Sequence, residues 1–563
     1  MVRAMKEEIG REIITSTYVL SKEDHTKDAV YIKERIHYND KTNKDVFRPI
    51  INFQKPFYIV KKEYRDYKEK KEYEHIGVLD EYFSNQACLS TAIDKVLNGG
   101  FSTGYKRLPI VLRSPYVYGA DIEPAGLIVK EYKDKWPDAV SEARLAVLDY
   151  EWDVVEGTDA IISGILSFKD RVHMAASKTW LKELSITAEA DIIKACNLHL
   201  KEYIDSRNIT LTVTICDNEA EVVKTLMASA HEWGPDFIGL WNIKSDFQHM
   251  ERALKRYGVN PAFIFSDPSV TNEFKHYVFK EDEPIKTKGN GTTSKKHIAD
   301  LWHTVDTPAK FKFVCLMALF RFVRAKKQQR RNYKLDPILH EFLKIGKIFF
   351  DYIPASKSDL ERHKIMQTKY KIEYMVYLFG DGVFVEMLDE KTRDVSLFLK
   401  NTIDINGIHK IKSNPRCLAN SLYFKWKKKN YIIASTSDNM TEELDKELPS
   451  AKGWIITAAS ELTHKIGKNL IKEYPDKETN ITVYASDIDV GSAYPLGQVA
   501  LNESKTTRVY ELCSIPGLTP HQIRSIAVNM TSVKSNAISL AQLTYGFPLL
   551  NNLLEDFKEE LKK

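Results

Sequence analysis

Apolar and polar positions along the chain alternate between two periods, and the switches between them outline the elements. LAVLDYEWDV (145–154) is a largely apolar run interrupted by Asp149, Glu151 and Asp153, the pattern of a buried strand, and DAIISGILSF (159–168) follows as its hairpin partner. Helical spacing predicts an amphipathic helix near Lys182–Tyr203 and another over Ala220–Trp233, with the strand Ile209–Cys216 between them. FIGLWN (237–242) is a further apolar strand; it runs into DFQHMERALKRYG, a helix expected to end at Gly258. Before residue 140, strand-like pieces (Phe57–Lys61, Pro109–Leu112) flank the run KKEYRDYKEKKEYE, which reads as the solvated face of a helix. Residues 281–300 are polar and glycine-bearing and predict a long exposed loop. Residues 310–400 are mostly helical with a break near Pro354, 401–455 are mixed, and TVYASDIDVGSAYP (482–495) is a strand ending in a turn before a helical tail.

A chain of 563 residues exceeds one core, so several domains are expected. With 43% hydrophobic and 28% charged residues, the composition is that of an ordinary globular protein. A net charge of +5, from 82 basic and 77 acidic side chains, excludes a protein that coats nucleic acid by bulk charge, while leaving room for local basic grooves. The six cysteines are scattered without a CxxC pair, which argues against a zinc site and for free thiols. No apolar run reaches the length of a membrane span and the N-terminus has no signal-like apolar region, so an intracellular protein is expected.

Three acidic signatures carry candidate chemistry. Asp149 and Glu151 are two apart in a strand, so both carboxylates point to one side; buried there, they repel unless a cation lies between them. A solvent-facing strand edge would explain the same pair. Asn242 and Asp246 sit where a strand hands over to a helix, and Asp246 alone would also serve as an N-cap. Tyr377 and Asp381 are one helical turn apart and share a face, as a plain surface pair would.

Taken in order over about 230 residues, the DxE strand, the Asn-to-Asp strand end and the Tyr-x-x-x-Asp helix form the pattern of DEDDy-type exonucleases. The chain resembles the exonuclease of B-family DNA polymerases, particularly those of large bacteriophages. SDPSV (266–270), LWHTVDTP (301–308), YKLDPILHEFLKIGK (333–347) and MLDEKTRDV (387–395) add to the likeness, and DIDVGSAYP is similar to the family's first polymerase motif. The resemblance implies that Asp149, Glu151, Asp246 and Asp381 hold two Mg²⁺ or Mn²⁺ ions, in keeping with oxygen-only ligands, and that Tyr377 orients the attacking water. It further implies that Asn242 and Phe247 contact substrate; Ser245 stands where the family places Phe or Tyr. Asp489 would be the first metal-binding acid of the polymerase site, and Tyr494 would lie beneath the incoming nucleotide.

The expected architecture is α/β and multi-domain. Residues 1–140 with about 390–455 would form a mixed α+β N-terminal domain, and 141–389 an RNase-H-like exonuclease domain, a mixed sheet flanked by helices. Residues 456–563 would be a partial palm with the start of the fingers. Only 74 residues follow Asp489 (563 less 489), with no second palm Asp, so polymerisation is expected only with a second chain that carries the rest of fingers, palm and thumb; a split polymerase is the favoured expectation and a truncated piece of a longer chain the other. Expected partners are DNA, as a single-stranded 3′ end and as primer-template, that completing chain, and a sliding clamp as a further candidate, with the host cytoplasm as location if the source is a phage. The alternative expectation, prompted by Ser245, is a DNA-binding assembly subunit whose exonuclease is weak or silent.

Overall fold

A computed structural model of the chain describes residues 6–101, 107–287, 293–324, 330, 332–353, 358–399 and 414–435. These belong to one compact unit, Met1–Ser437; a second unit, Asp438–Lys563, lies outside the described residues, and with it the expected palm, Asp489 and Tyr494.

The N-terminal part contains two small sheets. β1 (Glu8–Leu20), β2 (Asp28–Tyr38) and β3 (Asn43–Ile51) form an antiparallel meander. β4 (Lys55–Val60) pairs with β6 (Leu79–Ser84) and β7 (Val117–Tyr118), while β5 (Tyr73–His75) pairs elsewhere. The partner of β5 comes from far along the chain: β18 (Tyr431–Ile433) follows the helix Asn414–Lys427, and its Ile432 joins Tyr423, Tyr58, Val60 and Tyr118 in one apolar cluster.

Two expectations for this part are corrected. The charged run at 61–74 is no helix: after a 3₁₀ turn over Lys62–Tyr64 it is irregular until β5. Its charges lack the apolar stripe that would dock a helix, and Lys70 is drawn inward, its ammonium donating to the carbonyls of Leu112 (2.5 Å) and Ser435 (3.0 Å). Pro109–Leu112 is not a strand but part of the short helix Leu108–Leu112, whose first turn suits the fixed φ of Pro109.

The central feature is a six-stranded mixed sheet in an α/β arrangement. β8 (Leu145–Trp152), β9 (Ile161–Phe168), β10 (Arg171–Ser177), β11 (Thr210–Cys216), β12 (Phe237–Leu240) and β17 (Lys312–Cys315) lie in the order β11-β10-β9-β8-β12-β17. β9 runs antiparallel to both neighbours; every other pair is parallel. Between β12 and β17, the short strands β13 (Val278–Lys280) and β16 (Thr304–Asp306) pair, as do β14 (Ile285–Thr287) and β15 (Thr293–Lys295), where a loop was expected.

Helices cover both faces of the sheet. On one lies Glu219–Trp233, started by the Asn218 side chain accepting from Glu221 N–H (3.1 Å) and ended at Gly234 with φ +57°. Its Val222, Val223, Leu226 and Ala230 are buried at helical spacing. The expected single helix at 182–203 is instead a 3₁₀ turn, Lys182–Ile186, followed by helices Ala188–His199 and Lys201–Arg207. The other face receives the 22-residue helix Lys371–Thr392. Among the described residues no helix is long and apolar enough to cross a membrane.

Candidate metal centre

Strand pairing brings the acids toward one edge. Asp149 lies opposite Ile165 on β9 and Glu151 opposite Ser163, so the two carboxylates share the face that receives the helix Lys371–Thr392. Tyr150 points to the other face, where Gly164 makes room for its ring: a Cβ at Gly164 would stand 2.5 Å from Tyr150 Cδ1. β12 is the parallel neighbour of β8, with Phe237 opposite Leu145. Their carboxyl ends are therefore adjacent, and Asp246 arrives near Asp149 and Glu151, at the edge where open α/β sheets place ligands.

The helix Lys371–Thr392 comes in close because Asp381 is flanked by glycines. A Cβ at Gly382 would lie 2.9 Å from Ile165 Cδ1, and one at Gly380 2.5 Å from Ile348 Cδ1. That close approach brings Asp381 to the two strand acids: Asp149, Glu151 and Asp381 each offer a carboxylate oxygen within 4.8 Å of the others, and this triad could hold a metal ion. Asp246 stands outside the triad but within its field, and its charge is the largest charge effect acting on Asp149.

Burial followed by like-charge repulsion governs the protonation of the group. Asp149 is pushed well above the usual carboxylate range, first by desolvation, then by Asp246, Glu151 and Asp381. Glu151 is raised to about 7 and Asp246 to about 8, desolvation again leading. Asp381 Oδ1 is buried with no hydrogen-bond partner. An unpartnered carboxylate oxygen inside a set of oxygen-only donors fits a bound metal ion.

Several side chains around the acids are not in the sequence-derived set. Lys347 donates to Tyr377 Oη (2.6 Å) and Asp381 Oδ2 (2.6 Å). Burial works against its charge, yet Asp381, Glu151 and Asp149 hold its pKa above the ordinary value. Tyr374 donates to Glu151 Oε2 (2.6 Å) and its ring stacks on Tyr377, 5.8 Å between centres. Gln367 donates to Tyr374 Oη (3.1 Å) and to Trp152 O (2.9 Å) and accepts from Val154 N–H (3.1 Å), clamping the end of β8. His363 Nδ1 lies 2.7 Å from Tyr374 Oη; burial, then Lys347 and Arg362, lower its pKa to about 4, so it is neutral at pH 7. Tyr374 had a legible signal, three residues before Tyr377 and so on the same helix face. Lys347 had none, lying 34 residues from Asp381 along the chain.

The remaining candidates divide. Tyr377 is buried beside Asp381 and Glu151, with its phenol pushed well above its ordinary pKa by desolvation and then by those charges. Asn242, and not Asp246, is the N-cap residue of the helix Ile243–Arg256, though its side chain makes no capping bond; Asp246 is the fourth residue inside. Phe247 is corrected: it has no accessible surface and packs among Phe265, Tyr277, Phe279 and Phe313, leaving no face for a substrate. Ile243, Phe247, Met250 and Leu254 are all buried along one helical stripe, a periodicity that marked Phe247 as core.

Comparison with known proteins adds no identification: no protein-family model matches the chain, and no curated protein matches it.

Proposed function

We propose that the chain is a metal-dependent 3′→5′ DNA exonuclease on an RNase-H-like domain, forming the N-terminal part of a B-family DNA polymerase of the kind found in large bacteriophages. The observation that carries this reading is the convergence of Asp149, Glu151 and Asp381 with Tyr377, from two elements more than 200 residues apart, on a cluster in which three carboxylates face one ammonium. The order of the acidic motifs along the chain adds support, and the mixed sheet flanked by helices is compatible with it.

Asp149, Glu151 and Asp381 would hold the divalent cation, with Asp246 as the further acid needed if a second ion binds. Bound divalent ions supply the positive charge that stabilises a transferring phosphoryl group and the acidity that makes water nucleophilic at neutral pH. The chain's own groups orient and hold. Tyr377 offers its hydroxyl at the centre, with the oxygen fixed by Lys347. Tyr374 fixes Glu151, and Gln367 fixes Tyr374. The Lys347 ammonium sits where it can offset the charge of a phosphodiester or of Asp381 in turn.

The alternative, an assembly subunit with a silent nuclease, draws on Asp246 standing apart from the triad and on Lys347 already pairing Asp381. One assay separates the two. Purified chain is given a single-stranded 3′ end with Mg²⁺ or Mn²⁺, beside an Asp149→Ala/Glu151→Ala variant. Metal-dependent trimming that the variant loses by about a thousandfold supports the nuclease, since metal-held charge supplies several kcal/mol. Trimming no faster than that of the variant supports the silent subunit.

A further inference from the structure

At the rim of the acid site lies a guanidinium for which the fold provides no strong partner. Arg362, on the helix Asp359–Lys369, has its guanidinium carbon 4.7 Å from the ring centre of Phe349 and 5.9 Å from that of Tyr377. Its Nε is buried without a hydrogen bond. Its ion partner among the described residues is Asp359, 3.6 Å away and 69% exposed, a pairing that contributes little in water. The charge nonetheless reaches Glu151 and Tyr377, which places it in the field of the site. Phe349 is 60% exposed, in a segment that also exposes Tyr352.

A planar cation short of acceptors, set against an exposed ring, matches two halves of one ligand. Guanidinium N–H groups suit phosphate oxygens in a planar fork, and an exposed ring suits the face of an unpaired base whatever its identity. The alternative use of the pair, an aromatic bracket that merely packs Tyr377, would leave Phe349 covered and the guanidinium satisfied. Neither is the case.

We propose that Arg362 and Phe349 recognise a nucleotide near the end of a single strand, Arg362 by a phosphate and Phe349 by stacking on a base. This rests on reading the neighbouring acids as a nuclease. It adds how the strand is held: without sequence preference, and by a cation that leaves the carboxylates free. Both residues touch substrate and neither takes part in bond cleavage.

The test uses the full chain and 5′-fluorescein tetrathymidylate, with binding followed by anisotropy in the Asp149→Ala/Glu151→Ala background so that cleavage does not intervene. Arg362→Gln is expected to weaken binding about tenfold and to reduce the salt slope by about 0.7, one single-strand phosphate. Phe349→Ala is expected to weaken binding about tenfold with the salt slope unchanged, and Phe349→Trp to restore it. Arg362→Lys, the folded control, should keep the slope while recovering only part of the affinity. Binding within about twofold of the background in Arg362→Gln and Phe349→Ala, with melting curves intact, overturns the proposal. If the wild-type chain never trims but these losses appear, the nuclease reading falls and this one stands. If trimming survives both substitutions at unchanged KM, the reverse holds.

Discussion

At the amino ends of β8 and β12 the fold buries Asp236, and at the carboxyl ends of the same strands it gathers the half-buried Asp149 and Glu151 and the buried Asp246. Asp236 has no exposed surface, yet Lys33 (2.5 Å) and Arg35 (2.7 Å) from β2 and Arg144 (3.3 Å) all reach its Oδ1. Desolvation pushes its pKa up, but those three cations more than offset it and hold the carboxylate well below its usual range. Lys33 also donates to the carbonyls of Gly234 and Pro235, both at 2.9 Å, which ties the N-terminal meander to the sheet. At the carboxyl edge four acids face one ammonium, that of Lys347, and the same desolvation now drives the pKa values of Asp149, Glu151 and Asp246 upward. Desolvation at both edges therefore has opposite outcomes, decided by the count of nearby cations. The first edge has cations enough to hold its acid charged and is structural; the second is short of positive charge, a deficit that an ion can fill.

The sharpest way to break this contrast is Asp236→Ala. It removes the buried anion that Lys33 and Arg35 share, leaving them only the partly exposed Asp45, and urea unfolding should show a loss of about 3–5 kcal/mol. Asp246→Asn, by contrast, removes a repelled charge and should leave the metal-free chain as stable or more so; a comparable loss in both variants would erase the distinction. The pH dependence follows with opposite signs at the two edges. Folded Glu151 and Asp246 keep their protons to about pH 7 and 8, whereas the unfolded chain releases them near 4. The metal-free melting temperature should therefore fall as pH rises from about 5 to 8, and Mg²⁺ should raise it more at pH 8 than at pH 6. Asp236, with its depressed pKa, contributes fully above about pH 4 and loses its contribution only below that.

A smaller effect is expected at Lys347, where Met would leave Asp381 and Tyr377 without a donor. A loss of about 1.5–3 kcal/mol in the metal-free protein should shrink once divalent cation is added, because the ion supplies the missing charge. An equal loss with and without metal would show that Lys347 serves packing alone. Smallest is Gly382→Ala, whose methyl meets the tip of Ile165 at 2.9 Å and should cost about 1 kcal/mol while displacing Asp381 enough to weaken metal binding. Metal affinity by calorimetry is the measurement, and an unchanged value would show that the glycine's close approach does not set the triad.

Much of the sheet was readable because its strands are dense in apolar residues over short runs. β8, β9, β11 and β12, the helix Glu219–Trp233 and the helical placement of Tyr377 and Asp381 all follow from local period and cap residues. Phe247 shows the limit of reading a position by its motif neighbours when its own helical stripe places it in the core. The 61–74 run shows another: charge pattern says nothing of a lysine that finds two buried carbonyls, one of them 365 residues away.

What the sequence determined by itself was the list of acids and the elements that carry them, since i, i+2 and i, i+4 spacing follow from strand and helix geometry alone. Only the tertiary structure decided that three of these carboxylates share one space, that Lys347 pairs with Asp381, and that Arg362 sits at the rim with its Nε lacking a hydrogen bond. The reason is physical: protonation and cation demand depend on desolvation and on distances between charges, and both are created by packing elements that lie far apart along the chain.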